Sequence, residues 1–469
     1  YPNVIPVDEV PLGHLVGQVP GTDFYHLVLS KSNGEIALLT LESNKLKSAY
    51  SNDSGATFGA EVVIDDDVVT DYEWGLRGVD YLGPKAFLAS DGTLYVVSRR
   101  GDPGGDVGVR FHRSDDMGRT WRPEVDIVKR SDPTHGVGDV LGIAAIGAGR
   151  VAVLYRSWWY SNDTYVIASS DRGVTWTTPV RLDTGEPAGG SAALDGDVAV
   201  ASSGEIHAVF VQDRGTGKAV WYARSLDGGL TFGSERSFDA LLPTGERTGS
   251  EHPDVEVASD GSISIAFWDN YSGGRLYVVR STDSGATFVK AHQAAAASTK
   301  APTPHIHVAP GTPIQLISLV PAFPGKVALH RSANYGATYT ALTPFTSWAH
   351  HCTVTRTAAG KWAIAYDDER NDANGWTFTD VYVRVSADGA TWGTEQRADR
   401  AAGGMASSNN PIIVAGSGEN LFVAWIDGRL QKERSYDVYV NRSLASPLNL
   451  VNERRADVDT ELDNVLEGG

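Results

Sequence analysis

Short apolar runs of strand length alternate with turn residues along this chain, and the alternation repeats as a unit. The clearest copy begins at Glu251-His252-Pro253. Its pattern predicts an inner strand over Asp254-Val255-Glu256-Val257, a turn at Ser259-Asp260-Gly261 and a second strand from Ile263 to Trp268. A third strand is predicted from Leu276 to Ser281 and a fourth after Phe288. Runs of this length bounded by Gly, Asp and Ser read as β-strands joined by tight turns. The polar phrase between third and fourth strands, Ser281 to Phe288, recurs at Ser51 to Phe58, Ser114 to Trp121, Ser169 to Trp176, Ser225 to Phe232 and Ser332 to Tyr339. A seventh copy, one residue shorter, runs from Ser386 to Trp392. Starts spaced 51 to 63 residues apart mean stacked copies of one supersecondary unit, which decides the fold before local propensity does.

The phrase has a physical reading. Its Asp accepts backbone N–H bonds inside a tight turn, its Gly supplies a φ > 0 position, and its final aromatic plugs between neighbouring units. Sliding the frame along the chain yields eight units. The eighth, from Asn409-Asn410-Pro411 through Trp425-Ile426-Asp427 to Ser443, keeps its strands and lacks the phrase, as a terminal repeat often does. Eight units are favoured over a seven-unit ring with one unit standing apart.

These seven phrases resemble the Asp boxes of the BNR-repeat β-propellers, the superfamily of sialidases and many other carbohydrate-active or glycan-binding proteins. The resemblance implies an all-β ring of four-stranded antiparallel blades spanning residues 1–451, with residues 452–469 as an acidic tail. It also implies that the box aspartates (Asp53, Asp116, Asp171, Asp227, Asp283, Asp388) brace hairpins on the face opposite the active site. Sialidases carry an Arg-Ile-Pro segment and usually six blades; the segment does not occur here. The stretch Asn3-Val4-Ile5-Pro6-Val7 is expected to pair with the last blade, removing a free sheet edge.

Composition narrows the partners. A net charge of −18 argues against nucleic acid or an anionic membrane, and no apolar run reaches the roughly 18 residues of a membrane span. A single cysteine, Cys352, rules out an internal disulfide. Tyr1 in place of an initiator Met hints at a removed leader or a trimmed start, and a secreted or cell-surface location is expected.

In a propeller the loops entering the first strand and leaving the second gather at one channel mouth, where pockets form. The first position reads Phe24-Tyr25, Leu82-Gly83, Asp139-Val140, Leu194-Asp195, Glu251-His252, Pro302-Thr303, His350-His351 and Asn409-Asn410. The second includes Glu42, Arg100, Asp269, Asp368 and Asp427. Imidazoles that give or take a proton, and paired carboxylates, are the groups that glycosidic chemistry needs. The expected catalytic set is therefore His252, His351, Glu251, Asp269, Asp368, Asp427 and Tyr25. The recurrence of Asp269, Asp368 and Asp427 suits strand-end caps equally well. Arg100, Arg370, Asn410, His350 and the stacking faces of Trp158 and Trp159 are the expected substrate contacts. No HExxH spacing marks a metal, so no cofactor is required, with a divalent cation left as an option.

The expected function is an extracellular glycoside hydrolase or polysaccharide lyase working at the channel mouth on a polysaccharide or glycoconjugate. A non-catalytic glycan-binding or surface-assembly propeller is the alternative, and exo-sialidase activity ranks below both. Because the His, Glu, Asp and Asn pairs crowd into units five to eight, the pattern favours one site over a multivalent lectin.

Overall fold

Tight turns pair each short run with its sequence neighbour, and the product is eight four-stranded antiparallel sheets whose strands follow chain order. The computed structural model describes residues 25–30, 33–42, 44–68, 84–89, 91–101, 107–129, 138–146, 149–157, 162–190, 192–215, 217–242, 249–270, 274–295, 302–308, 311–321, 327–345, 349–372, 378–399, 408–427, 437–443, 448, 450 and 454–455.

The inner strands are Tyr25–Ser30, Lys85–Leu88, Gly138–Ile146, Ala192–Val200, Ser250–Val257, Pro302–Val308, Ala349–Arg356 and Ser408–Ala415. Neighbouring blades pack around one axis, and blade eight packs against blade one. The chain is an eight-bladed β-propeller, as the unit count predicts. One 3₁₀ turn, Asp239–Leu241, is the sole helical element among the described residues, and no helix there is long and apolar enough to cross a membrane. The segment Asn3 to Val7 lies outside the described residues; the outermost strand of blade eight is Arg454–Arg455.

The boxes act as the sequence suggests. In blade three Ser169 Oγ donates to Asp171 Oδ1 at 2.8 Å, while Gly173 N donates back to Ser169 Oγ at 2.8 Å. Thr175 closes the loop, its N–H on Asp171 Oδ1 and its hydroxyl on Oδ2. These bonds, the Thr175 hydroxyl first, hold the Asp171 carboxyl down at about 2. Box six has Asn334 where the others have Asp, and it keeps the turn by donating from Nδ2 to Thr338 Oγ1.

The box aromatics join blade to blade. Trp176 of blade three meets Phe111 of blade two edge-on at 4.9 Å between centroids, and Phe288 of blade five meets Tyr222 of blade four at 4.8 Å. Phe58 of blade one packs on Phe422 of blade eight at 5.8 Å, so the same contact closes the ring.

A second device covers the free edges of the inner strands, whose N–H groups would otherwise be left unpaired. Asp197 of blade four accepts the N–H of Val255 in blade five at 3.0 Å. Asp254, the equivalent residue of blade five, accepts the N–H of Ile306 in blade six. In blade seven Thr353 Oγ1 does the same for Ile413 N of blade eight at 3.0 Å.

Candidate functional site

Each blade is a meander, so the start of the inner strand and the end of the second strand share one face of the ring. The boxes, between third and fourth strands, lie on the other. At the first face, among the described residues, five inner strands carry a one-residue bulge, those of blades three, four, five, seven and eight. The pairing register slips between Glu251 and Asp254 in blade five, between Ala349 and Cys352 in blade seven and between Asn409 and Ile412 in blade eight. Bulges of this kind re-aim side chains. They present His252, His350, His351 and Asn410, and His252 and Asn410 both adopt φ 52°.

In blade seven the bulge sets His350 and His351 opposite Asp367 of the second strand. The fully buried Asp367 accepts the His351 main-chain N–H at Oδ1 (2.8 Å), and its Oδ2 lies 2.6 Å from His351 Nδ1. Oδ2 also accepts the Asn410 N–H from blade eight at 3.1 Å. Burial alone would raise the Asp367 carboxyl. The charge and hydrogen bonds of His351, with the charge of His350, reverse this and hold it below the ordinary carboxylate range. An ionised carboxylate can only accept, so Nδ1 of His351 carries a proton, and Nε2 is the ring nitrogen that Asp367 does not engage. The side chain of His351 is 23% exposed, and Nε2 has no hydrogen-bond partner among the described residues.

His252 is held more tightly. Its Nδ1 lies 3.0 Å from Asp195 Oδ2 of blade four and its Nε2 lies 3.7 Å from Glu251 Oε2, so both ring nitrogens face carboxylates. Glu251 in turn takes Lys218 Nζ at 2.5 Å. With the His252 side chain 3% exposed, this pair presents no open nitrogen comparable to that of His351. His350 Nε2 lies 3.3 Å from Glu369 Oε2.

The recurring carboxylates are bound inside their own blades. Asp269 accepts from Ser250 Oγ at 2.7 Å, and Asp427 accepts from Ser408 Oγ at 2.7 Å and from Trp425 Nε1 at 3.1 Å. Asp368 grips Arg370 through Nε and Nη2 at 2.9 and 2.7 Å. Arg370 also binds Glu395 at 2.6 Å and lies over the Tyr382 ring, so its fork is already occupied. Arg100 is likewise committed to Asp67 and Asp126. Tyr25 starts the inner strand of blade one, with its side chain outside the described residues, as are Trp158 and Trp159.

One carboxylate escapes the sequence pattern. Asp367 stands where blades five and eight carry Trp268 and Ile426, one residue before the recurring Asp; it is the one carboxylate in that column, where Arg99 and Arg156 are the other charged residues, and this was its signal. Elsewhere at this face Arg99, Asp139 and Arg156 form a buried Arg-Asp-Arg cluster. Arg99 of blade two lies 3.0 Å from Asp139 Oδ1, and Arg156 binds Oδ2 through Nε and Nη2 at 2.7 and 2.6 Å. Arg156 Nη1 then reaches the carbonyls of Ala193 and Leu194, next to Asp195.

Asp65, Asp66 and Asp67 form the one carboxylate group among the described residues close enough to share a cation. Arg110 and Arg100 already neutralise Asp65 and Asp67.

A BNR repeat-like domain model matches residues 92–343, just over half of the chain. No curated protein matches the sequence. Among solved structures, an ulvan lyase is similar at 11% identity and TM-score 0.50, with 77% of this chain and 92% of that one covered. The Penicillium chrysogenum alpha-L-arabinanase complexed with arabinobiose is similar at 13% identity and TM-score 0.42, covering 70% and 98%. The Hadza microbial sialidase Hz136 is similar at 16% identity and TM-score 0.40, covering 72% and 71%. At these identities the likeness is one of fold.

Proposed function

The chain belongs to the BNR repeat-like domain family, and on that premise we propose that it is a carbohydrate-active enzyme, a glycoside hydrolase or polysaccharide lyase. It acts outside the cell, on a polysaccharide or glycoconjugate, with its reacting centre at His351. The observation that carries this reading is the Asp367–His351 pair, with Nδ1 bound to a buried carboxylate and Nε2 left open.

That arrangement is the one a proton-transfer residue needs. Asp367 positions the ring and supports the imidazolium that forms when Nε2 takes a proton. In a lyase, Nε2 removes the proton α to a uronate carboxylate as the glycosidic C–O bond breaks. In a hydrolase the same nitrogen takes a proton from the attacking water, or its protonated form gives one to the leaving oxygen. Glu369, which faces His350, and Glu251, which pairs with Lys218, are partly exposed carboxylates of the same mouth and the candidates for the second group. The pair occurs in blade seven and is not repeated in blades five and eight, where Trp268 and Ile426 take the place of Asp367. A multivalent lectin would repeat its constellation, so the asymmetry supports one reacting centre.

The test is digestion of a panel of neutral and uronate-containing polysaccharides, scored by new reducing ends and by the ultraviolet absorbance of unsaturated products. The second signal separates lyase from hydrolase. His351→Ala should lower turnover by about 10²–10⁴-fold while glycan binding persists. Binding without turnover by the wild type would move the assignment to a glycan-binding propeller.

A further inference from the structure

We propose that Asn410 binds substrate hydroxyls. Its carboxamide reads a pair of neighbouring hydroxyls on the sugar ring, and the carboxylate that orients His351 also holds Asn410 in place. The proposal rests on the enzymatic reading above and adds the substrate feature that the mouth recognises.

Asn410 precedes Pro411 and has φ 52°. A residue before proline favours extended backbone, and the left-handed region is unfavourable for most side chains. Such a conformation persists only when its surroundings impose it. Here Asp367 Oδ2 does so, accepting the Asn410 N–H at 3.1 Å and facing His351 Nδ1 at 2.6 Å. A single oxygen thus registers the Asn410 peptide against the imidazole.

The Asn410 side chain is the unmatched part. The residue is 6% exposed, and neither its Oδ1 nor its Nδ2 meets a hydrogen-bond partner among the described residues. An unpaired buried carboxamide is unfavourable, so a strained backbone that creates one calls for an incoming group. The repeat indicates where that group enters. His252 holds the equivalent place in blade five, with φ 52° and Pro253 behind it, and reaches back to the mouth residue of the preceding blade, Asp195, at 3.0 Å. The mouth residue of the blade preceding Asn410 is His351. By the same step from blade to blade, the proposal assigns the carboxamide to the side of His351, where the reacting sugar would sit.

Donor and acceptor lie side by side on a carboxamide, and a hydroxyl can both give and take. Two adjacent ring hydroxyls therefore satisfy both atoms. A sulfate or carboxylate offers acceptors only and would leave Oδ1 unmatched.

The experiment uses the full chain and the polysaccharide that the wild type cleaves. Asn410→Gly removes the carboxamide and leaves the backbone its left-handed conformation, because glycine enters that region freely. Asn410→Asp keeps the shape and removes both side-chain donors. Each should lose about tenfold or more in kcat/KM, chiefly through KM, with the melting temperature and the His351 ¹⁵N signals retained. A substrate lacking one of the two hydroxyls should erase the difference between wild type and Asn410→Gly. An Asn410→Gly enzyme within about twofold of wild type would overturn the proposal and leave the assignment of His351 standing. If Asn410→Gly melts early, Asn410→Asp decides. A wild type that neither cleaves nor binds any glycan of the panel would overturn both readings together.

Discussion

Asp367 and His351 form a buried carboxylate–imidazole pair, 2.6 Å from Oδ2 to Nδ1, inside the seventh blade. A second bond from the same carboxylate to the His351 main chain, 2.8 Å long, fixes the ring and the peptide together. Nothing in either side chain alone would hold that geometry; the bulge that aligns them does.

Asp367→Asn should therefore separate position from charge. The amide is nearly the same shape but has one acceptor oxygen, so it cannot accept from both the His351 main-chain N–H and Nδ1, nor support an imidazolium. Turnover should fall about a hundredfold or more. Histidine ¹⁵N spectra should show His351 losing its Nδ1–H tautomer, which a purely structural residue would leave in place.

The Arg99–Asp139–Arg156 cluster makes a prediction of the opposite kind. Removing the carboxylate with Asp139→Ala leaves two buried guanidinium groups facing each other. Stability should drop by about 3–5 kcal/mol, read by chemical denaturation. Arg99→Met, Asp139→Leu and Arg156→Met together should recover much of the loss, since all three buried charges are then removed.

His330, buried between blades five and six beside His292, is held down at about 4, burial first and the His292 charge second. Its ordinary value is near 6.5, so between these pH values the unfolded chain binds a proton that the folded one refuses. The stability from His330 is complete above about pH 6.5 and is lost as the pH falls toward 4. Relative to His330→Leu, the wild type should lose at most about 3 kcal/mol across that window, read as diverging melting temperatures.

Gly173 tests the box. Its φ is 80°, and a Cβ there would overlap the Phe111 ring of the neighbouring blade. Gly173→Ala should cost roughly 1–3 kcal/mol in thermal stability and leave kcat/KM unchanged, because the box lies on the face away from His351. Lost activity in a well-folded Gly173→Ala protein would contradict that separation of faces.

Much of the architecture is legible in the chain. The frame read from Asp254, Ile263 and Leu276 matches strands Ser250–Val257, Ile263–Asp269 and Arg275–Ser281. The first starts earlier than expected because the bulge lets Ser250 and Glu251 pair before the register slips. The mouth is legible only in part. Histidines stand out by type and position, so His252 and His351 were identifiable. The carboxylate that orients His351 was not, since recurrence drew attention to Asp368, which Arg370 occupies.

The sequence by itself determined the blade, its repeat count and which loops share a face, because a meander with a fixed turn phrase has one way to pair. Tertiary structure decided which mouth groups are engaged and which are open. Whether a carboxylate meets Ser250, Arg370 or His351 depends on a one-residue bulge and on the approach of the next blade. Those are distances between elements, and no local pattern of apolar and polar residues encodes them.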